Sequence, residues 1–229
     1  MTLERRIQSG FLLLMALFAL KQAACADGLT GLYIGGSVGV AKIATDTAAY
    51  QNELEGQVAG FGILEFTSAA LEDRKTAWWV NTGYMAWRFV GIDASYLHLG
   101  ELYYQAFGTY TPDGGAAQSV GATTRLKSQG PALGLLFQLP LLENFNLNLR
   151  IADYYARTTL TNILTLPSSY TPTVQTANAS SLLVGLGASY TFAGHWSARL
   201  DYLRVERAGD STTGKYNASY LALGASYNF

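Results

Sequence analysis

Four charged residues occupy positions that predict an inward orientation in a narrow protein interior: Asp93, Arg150, Arg199 and Asp201. Each lies in a segment where apolar residues alternate with small or polar ones, and each falls on the small, polar face. Two acids and two bases in one narrow interior should pair, because an unpaired buried charge is costly. The pattern therefore predicts a lumenal ion-pair network, which acts either as a structural plug or as a gate whose ion pairs exchange partners.

Residues for enzymatic or metal chemistry are few, since the chain has two His and one Cys. His195 lies in a predicted turn, and His98 has the parity of Tyr96, which points it outward. Catalysis by Ser or Asp with His needs these groups within hydrogen-bond reach, and a metal site needs clustered ligands. We therefore predict no catalytic residue, no cofactor and no metal site.

The elements that must position these residues are recognised best at residues 216–229. Apolar or aromatic side chains occupy one face there, and small or polar side chains occupy the other. The first face comprises Leu221, Leu223, Ala225, Tyr227 and Phe229, and the second Ala222, Gly224, Ser226 and Asn228. The same period of two predicts seven further strands at about 31–41, 76–86, 90–100, 132–139, 145–151 (extending as far as 163), 181–192 and 196–205.

Composition favours strands that lie in lipid. Charged residues make up 14% of the chain, well below the roughly 25% of a soluble domain. Beyond residue 20 no apolar run approaches the ~20 residues of a spanning helix. A soluble lipocalin-like barrel would turn its apolar face inward, whereas here the inward face would carry Gly, Ser and the four charges. We therefore predict an all-β fold, an eight-stranded antiparallel transmembrane up-and-down β-barrel.

Aromatic residues near the strand ends match the girdles of a membrane barrel. One predicted girdle contains Phe229, Tyr227, Phe192, Tyr190, Trp196, Phe145, Phe137 and Tyr84, and the other Tyr96, Tyr202, Tyr155 and Trp78. Tight turns alternate with long polar loops at about 42–75, 105–123 and 164–177 and a shorter loop at 209–215. Turns and both termini are expected on the periplasmic side and the long loops outside the cell. Asp153 has lipid-facing parity, so it lies either above the hydrocarbon or beside a register-shifting bulge.

The first 26 residues have the pattern of a secretory signal peptide. Arg5 and Arg6 precede the apolar run 11–20, and Ala24-Cys-Ala26 provides a cleavage site. Lipidation of Cys25 is the alternative. Cleavage after Ala26 leaves residues 27–229 as the barrel, without Cys and hence without a disulfide.

Several segments resemble the OmpA-like transmembrane barrel family. They are Leu32-Tyr-Ile-Gly-Gly-Ser-Val-Gly39, Phe89-Val-Gly-Ile-Asp-Ala-Ser-Tyr96 and Trp196-Ser-Ala-Arg-Leu-Asp-Tyr202. The ending Gly224-Ala-Ser-Tyr-Asn-Phe229 is similar to the signal read by the outer-membrane assembly machinery, with Leu223 where a polar residue is usual. The resemblance implies lumenal acid–base networks, although Ser189 and Gln138 stand where charged partners would be expected. No peptidoglycan-binding domain is expected after Phe229.

The resulting functional expectation is a non-enzymatic outer-membrane protein of a Gram-negative bacterium, a monomer with a structural or surface-interaction role through its extracellular loops. Its expected partners are outer-membrane lipid, lipopolysaccharide and the assembly machinery, with a possible host or surface ligand. The near-neutral formal charge of −1 gives no reason to expect nucleic acid. The alternative is a narrow, low-conductance channel gated by lumenal charges.

Overall fold

The computed structural model describes residues 31–44, 55–56, 62–166, 169–192, 194–210 and 213–229. The predicted signal peptide, with its cleavage residues Ala24 and Ala26, lies outside these residues. The strands are β1 (Leu32–Ala44), β2 (Gly62–Glu72), β3 (Arg74–Trp87), β4 (Val90–Pro112), β5 (Gln118–Leu142), β6 (Phe145–Leu166), β7 (Ser169–Thr191), β8 (Trp196–Ala208) and β9 (Tyr216–Asn228). Among the described residues, no helix has the length and apolar character needed to cross a membrane.

Eight strands close into a ring through antiparallel pairs. The order is β1–β3–β4–β5–β6–β7–β8–β9, and β9 returns to β1, where Val38 lies opposite Leu223. β2 and β3 form one interrupted strand of the barrel, since both pair with β4 and only Asp73 separates them. The predicted eight-stranded antiparallel barrel is therefore confirmed, and one of its eight strands is divided into β2 and β3.

The two ends of the barrel differ. At the turn end, short connections join β3 to β4, β5 to β6 and β7 to β8, and the chain enters β1 and leaves β9. At the other end, β2 and the outer halves of β4, β5, β6 and β7 continue beyond β1, β8 and β9 as an open five-stranded sheet, which we call the protruding sheet.

Near the turn end, the apolar side chains point away from the interior. Exposed members of this apolar band include Ile34, Val38, Val40, Val80, Leu133, Leu135, Ile151, Leu186, Leu200, Leu221 and Leu223. Aromatics border the band, with Trp196, Tyr190 and Phe192 exposed at the turn end and Trp78, Tyr96, Tyr155 and Tyr202 exposed at the opposite border. A continuous apolar belt between two girdles of aromatic residues is the surface that a bilayer covers.

Beyond this band the same strands reverse their pattern. On β8, Leu200 and Tyr202 are exposed and Asp201 is buried, but two residues later Leu203 is buried and Arg204 is exposed. No described residue of β8 changes face between these positions, since its register with β9 is continuous from Trp196 to Val205. Outside lipid, the outward face of the strands contacts water and is therefore polar, and the inward face forms an apolar core. Sheets of soluble proteins have the same arrangement.

The prediction of long loops is corrected by these outer strand segments, in which the polar residues face outward and the apolar residues face inward. Of the residues assigned to long loops at 42–75, 105–123 and 164–177, those that the structure describes lie largely in β1 to β7. The connection between β4 and β5 is only residues 113–117. In β5, Val120, Ala122 and Leu126 are buried while Thr123 and Arg125 face outward. Such polar, Thr-rich outer faces predict loops because they lack the outward apolar residues of the membrane strands.

Asp153 faces outward on β6, opposite Leu133 of β5 and Leu182 of β7. The register of β6 with β7 has no shift, so a bulge does not explain its position. Asp153 accepts a hydrogen bond from the Ser180 hydroxyl. It lies two residues before Tyr155, just inside the aromatic border of the apolar band.

Candidate functional site

The interior of the barrel near the turn end collects the four predicted charges. Asp93 comes from β4, Arg150 from β6, and Arg199 and Asp201 from β8. The alternation of these strands directs all four inward. Each is almost fully buried, with exposed fractions of 1%, 2%, 8% and 2%.

Asp93 and Arg150 form the first ion pair. Arg150 donates from Nε to Oδ1 of Asp93 at 2.9 Å and from Nη2 to Oδ2 at 3.3 Å, a two-point contact. The Tyr33 hydroxyl and the Asn81 amide also donate to Oδ2 of Asp93. The carboxylate thus receives four hydrogen bonds, which compensate for its removal from water.

Arg199 and Asp201 form the second ion pair, with 3.1 Å between Nη2 and Oδ2. The other terminal nitrogen of Arg199 donates to Oδ1 of Asn81 at 3.0 Å. Asn81 therefore accepts from Arg199 and donates to Asp93, at 2.9 Å, and so connects the two ion pairs. All four charges belong to one hydrogen-bonded network.

Trp79 lies between the two guanidinium groups. The centroid of its ring is 4.1 Å from Cζ of Arg150 and 5.0 Å from Cζ of Arg199, and the residue is 1% exposed. A tryptophan face attracts cations and also fills space in a narrow lumen. Trp79 thereby contacts both arginines and occupies space in the lumen beside them.

Sequence reasoning missed the roles of Asn81, Trp79 and Tyr33. The signal was present, because Trp78 and Val80 were predicted to face outward, which places Trp79 and Asn81 inside. Ser189, noted as an uncharged replacement, accepts a hydrogen bond from the Asn148 amide at 3.2 Å. The polar layer thus continues on β6 and β7 without further charges.

Above the polar layer, large side chains fill the interior. Trp79, Tyr104, Tyr154, Tyr220, Leu97, Leu99, Leu102, Leu126, Leu160, Leu183 and Leu203 are all less than 2% exposed. Hydroxyl groups on this apolar core find partners across the barrel, as in the contact between Thr158 and Tyr216 at 2.9 Å. An eight-stranded barrel has room for little more than its own side chains, and here they occupy it.

The two histidines lie apart from this interior. His98 stacks on Trp78, with 5.4 Å between ring centroids, and its Nδ1 accepts the Gly100 N–H. His195 stacks on Tyr227 at the turn end, and its Nδ1 is 2.7 Å from the carbonyl oxygen of Asn228. Within the part of the chain that the structure describes, no group of three or more His, Cys, Asp or Glu could hold a metal ion.

The predicted assembly-signal residues lie on β9, at the seam where the barrel closes. Gly224 sits opposite Ser37 of β1, and the N–H of Phe229 donates to the carbonyl of Leu32 at 2.9 Å. Tyr227 contacts Trp196 and Phe229 edge to face, with centroids 5.2 and 5.0 Å apart. Their recognition by the assembly machinery stays a prediction.

A closed eight-stranded barrel with an apolar outer band, aromatic borders and a charged, filled interior defines an integral outer-membrane β-barrel protein. The sequence matches the OmpA-like transmembrane domain over residues 29–229, and the chain belongs to that family. The resemblance inferred from the sequence is therefore confirmed, as is an outer-membrane location.

Solved structures with a similar fold include the following three proteins. Neisserial surface protein A is 13% identical, with 88% of this chain and 99% of that chain covered and a TM-score of 0.47. Ail, the attachment invasion locus protein of Yersinia pestis, is 13% identical, with 88% and 100% covered and a TM-score of 0.44. The outer membrane protease OmpT from Escherichia coli is 10% identical, with 87% and 97% covered and a TM-score of 0.46. No curated protein matches the sequence significantly.

Proposed function

We propose that the chain is a non-enzymatic outer-membrane anchor that presents its protruding sheet at the cell surface, with the turn end and both termini in the periplasm. The filled interior is the observation that carries this proposal, because Trp79 and ten other large side chains are less than 2% exposed inside a barrel of only eight strands. Wide aqueous pores need about sixteen strands. The extent and solvated outer face of the protruding sheet support a role in surface interaction.

A narrow, gated channel is the second candidate, favoured by the bridging position of Asn81. Arg199 already reaches the side chain that binds Asp93, so a small displacement could exchange the partners of the two ion pairs. The two candidates differ in whether the interior opens during the lifetime of the folded barrel.

Arg199→Ala should lower the unfolding temperature of the refolded barrel and leave its conductance at baseline. The substitution strips Asp201 of its cation and Asn81 of a donor, both in a buried setting. Thermal unfolding by circular dichroism and single-channel recording in planar bilayers, beside the wild type, measure the two effects.

A wild type with discrete small openings that change in Arg199→Ala would contradict the anchor and place the channel first. An unchanged unfolding temperature would remove Arg199 from any stabilising network. Arg204→Ala, five residues along β8 but exposed on the outer face, is the matched control and should change neither quantity.

We also propose that lipopolysaccharide phosphate contacts the outer face of β5 and β6. Lys127 and Arg157 are exposed there, in neighbouring positions of the ladder just above Tyr155, and no described acid lies within ion-pair distance of either. Cations directly above an aromatic border stand at the depth of lipid headgroups.

Lys127→Ala/Arg157→Ala should therefore unfold at a lower temperature than the wild type in bilayers that contain lipopolysaccharide, and at the same temperature in phosphatidylcholine. Differential scanning calorimetry in the two bilayers separates this from a general loss of stability. An equal decrease in both bilayers would refute the phosphate contact.

A further inference from the structure

The outer edge of β7 in the protruding sheet has no neighbour among the described strands. β8 pairs with β7 only from Thr191 up to Leu182, opposite Glu206. Arg207 then adopts a positive φ of 55° and Gly209 one of 87°, and the chain turns away into β9. We call residues 172–179 of β7 the open edge.

The direction of each backbone group on the open edge follows from the hydrogen bonds at the turn end. The N–H of Thr191 donates to Asn144 before β6, and that of Phe192 donates to Trp196 of β8. The register of β7 with β6 has no shift. Odd-numbered residues therefore direct their N–H and C=O groups to β6, and even-numbered residues direct theirs to the open edge.

Val174, Thr176 and Asn178 thus present three N–H donors on the open edge. Pro172, the next even residue, has no N–H to present, and proline is a residue that edge strands tolerate. From Val174 to Asn178 these donors extend over about 13 Å at ~3.3 Å per residue. Only another extended main chain offers donors and acceptors at this spacing, so the geometry itself specifies the kind of ligand.

The other edge of the protruding sheet is protected. β2 carries Glu65 and Glu72, and its register with β4 shifts between Phe66 and Ser68. Charges and bulges are devices that prevent strand addition. Residues 169–181 of β7, in contrast, contain no charged residue and no register shift. One edge is blocked while the other remains suited to pairing.

A second copy of the chain fits the open edge poorly. β2 and β7 both run toward the turn end, so upright copies in one membrane can offer each other only parallel edges, and parallel pairs are the less stable kind. A segment of another protein can approach antiparallel. We propose that the open edge binds an extended, uncharged peptide segment of a partner protein by antiparallel strand addition.

The probe for this proposal is a fluorescent synthetic peptide with the sequence of residues 157–166 carrying Arg157→Gln, so that all its side chains are uncharged. In β6 these residues pair antiparallel with residues 169–178 of β7, so their side-chain spacing already matches the strand. The peptide should bind the refolded barrel in lipid nanodiscs, as measured by fluorescence anisotropy. A version with alternate amides N-methylated, so that its pairing edge lacks donors, should not bind.

Two substitutions at one position separate main-chain pairing from side-chain contact. Thr176→Pro removes a donor of the open edge without removing a bond to β6, and should weaken binding about tenfold, the effect of one main-chain hydrogen bond. Thr176→Val keeps that donor and should bind within about twofold of the wild type, since a β-branched residue suits a strand equally. Equal affinities for the two variants would refute strand addition.

Hydrogen exchange gives a second readout on the wild type. The amides of residues 174, 176 and 178 should exchange rapidly in the free protein and slow on peptide binding, while those of 173, 175 and 177 stay slow throughout. Slow exchange at 174, 176 and 178 in the free monomer would overturn the proposal, because the chain would then cover its own edge. Protection that follows protein concentration and is lost in Thr176→Pro would overturn it in favour of a second copy.

The inference rests on the proposed surface role, but its failure is distinguishable. If no peptide binds while the barrel remains electrically silent, the strand-addition site is lost and the anchor stands. If the barrel conducts, the anchor fails whatever the peptide does.

Discussion

Asp93→Ala should destabilise the refolded barrel by about 3–5 kcal/mol, the cost of breaking a buried ion pair by removing one partner. The Asp93 carboxylate accepts from Arg150 twice and from Tyr33 and Asn81 once each, and all three donors lose their acceptor together. Arg150 would remain charged at 2% exposure, with the face of Trp79 as its nearest compensation. Urea unfolding in lipid vesicles, followed by tryptophan fluorescence, measures the loss.

A double-mutant cycle shows whether the loss comes from the orphaned charge. Asp93→Ala/Arg150→Met replaces the pair by apolar groups and should recover a large part of the stability lost in Asp93→Ala, because no buried cation then remains. If the double variant is as unstable as the sum of the single variants, the two residues act independently and the network is not a unit. Asp153→Ala, which removes an exposed acid on the outside of β6, should have a small effect.

The membrane part of the fold was predictable because a period of two with an apolar outward face is distinctive. β8 illustrates both the success and its limit. From Trp196 to Tyr202 the apolar residues occupy even positions and the polar ones odd positions, whereas Leu203, Arg204, Val205 and Glu206 reverse the assignment. Each half alternates, but only the first half has the phase of a strand in lipid.

Where the protruding sheet lies, the sequence pattern therefore predicts loops. Its outer faces contain Thr, Ser, Gln and Asn, and its inner residues, such as Ala122 and Ala106, are small. Alternation between polar and small residues has low contrast, so loop and strand were hard to separate. The alternation nevertheless continues in β4 to β7 past the membrane border, with apolar residues on the inner face and polar residues on the outer face.

The parity of a strand fixes which residues face the interior, and so the burial of Asp93, Arg150, Arg199 and Asp201 followed from sequence. Which of them pair depends on the stagger between strands that are distant in the chain. Asp93 meets Arg150, 57 residues away, while Arg199 reaches Asp201 on its own strand and Asn81, 118 residues away. Those pairings depend on closure of the barrel and on the size of Trp79, and the pattern of a single strand encodes neither.

Gly39→Ala should prevent the barrel from closing. Gly39 faces inward on β1 at the seam with β9, opposite Ala222. A Cβ atom there would lie 2.0 Å from the carbonyl oxygen of Leu221 and 2.5 Å from Cα of Ala222. Both are backbone atoms of the closing strand, so relief requires β9 to move away from β1 and lose the hydrogen bonds of the seam.

Gly36→Ala is the matched control on the same strand. A Cβ atom at residue 36 meets nothing closer than 3.7 Å, the carbonyl oxygen of Trp79, so the methyl group fits without displacement. Folded and unfolded fractions of each refolded variant can be compared by the heat-dependent shift of the band in cold SDS electrophoresis. We expect Gly36→Ala to fold as the wild type does and Gly39→Ala to remain unfolded. Normal folding of Gly39→Ala would mean that the seam has slack, and that the interior network and the filled upper core, more than the β1–β9 ladder, determine closure.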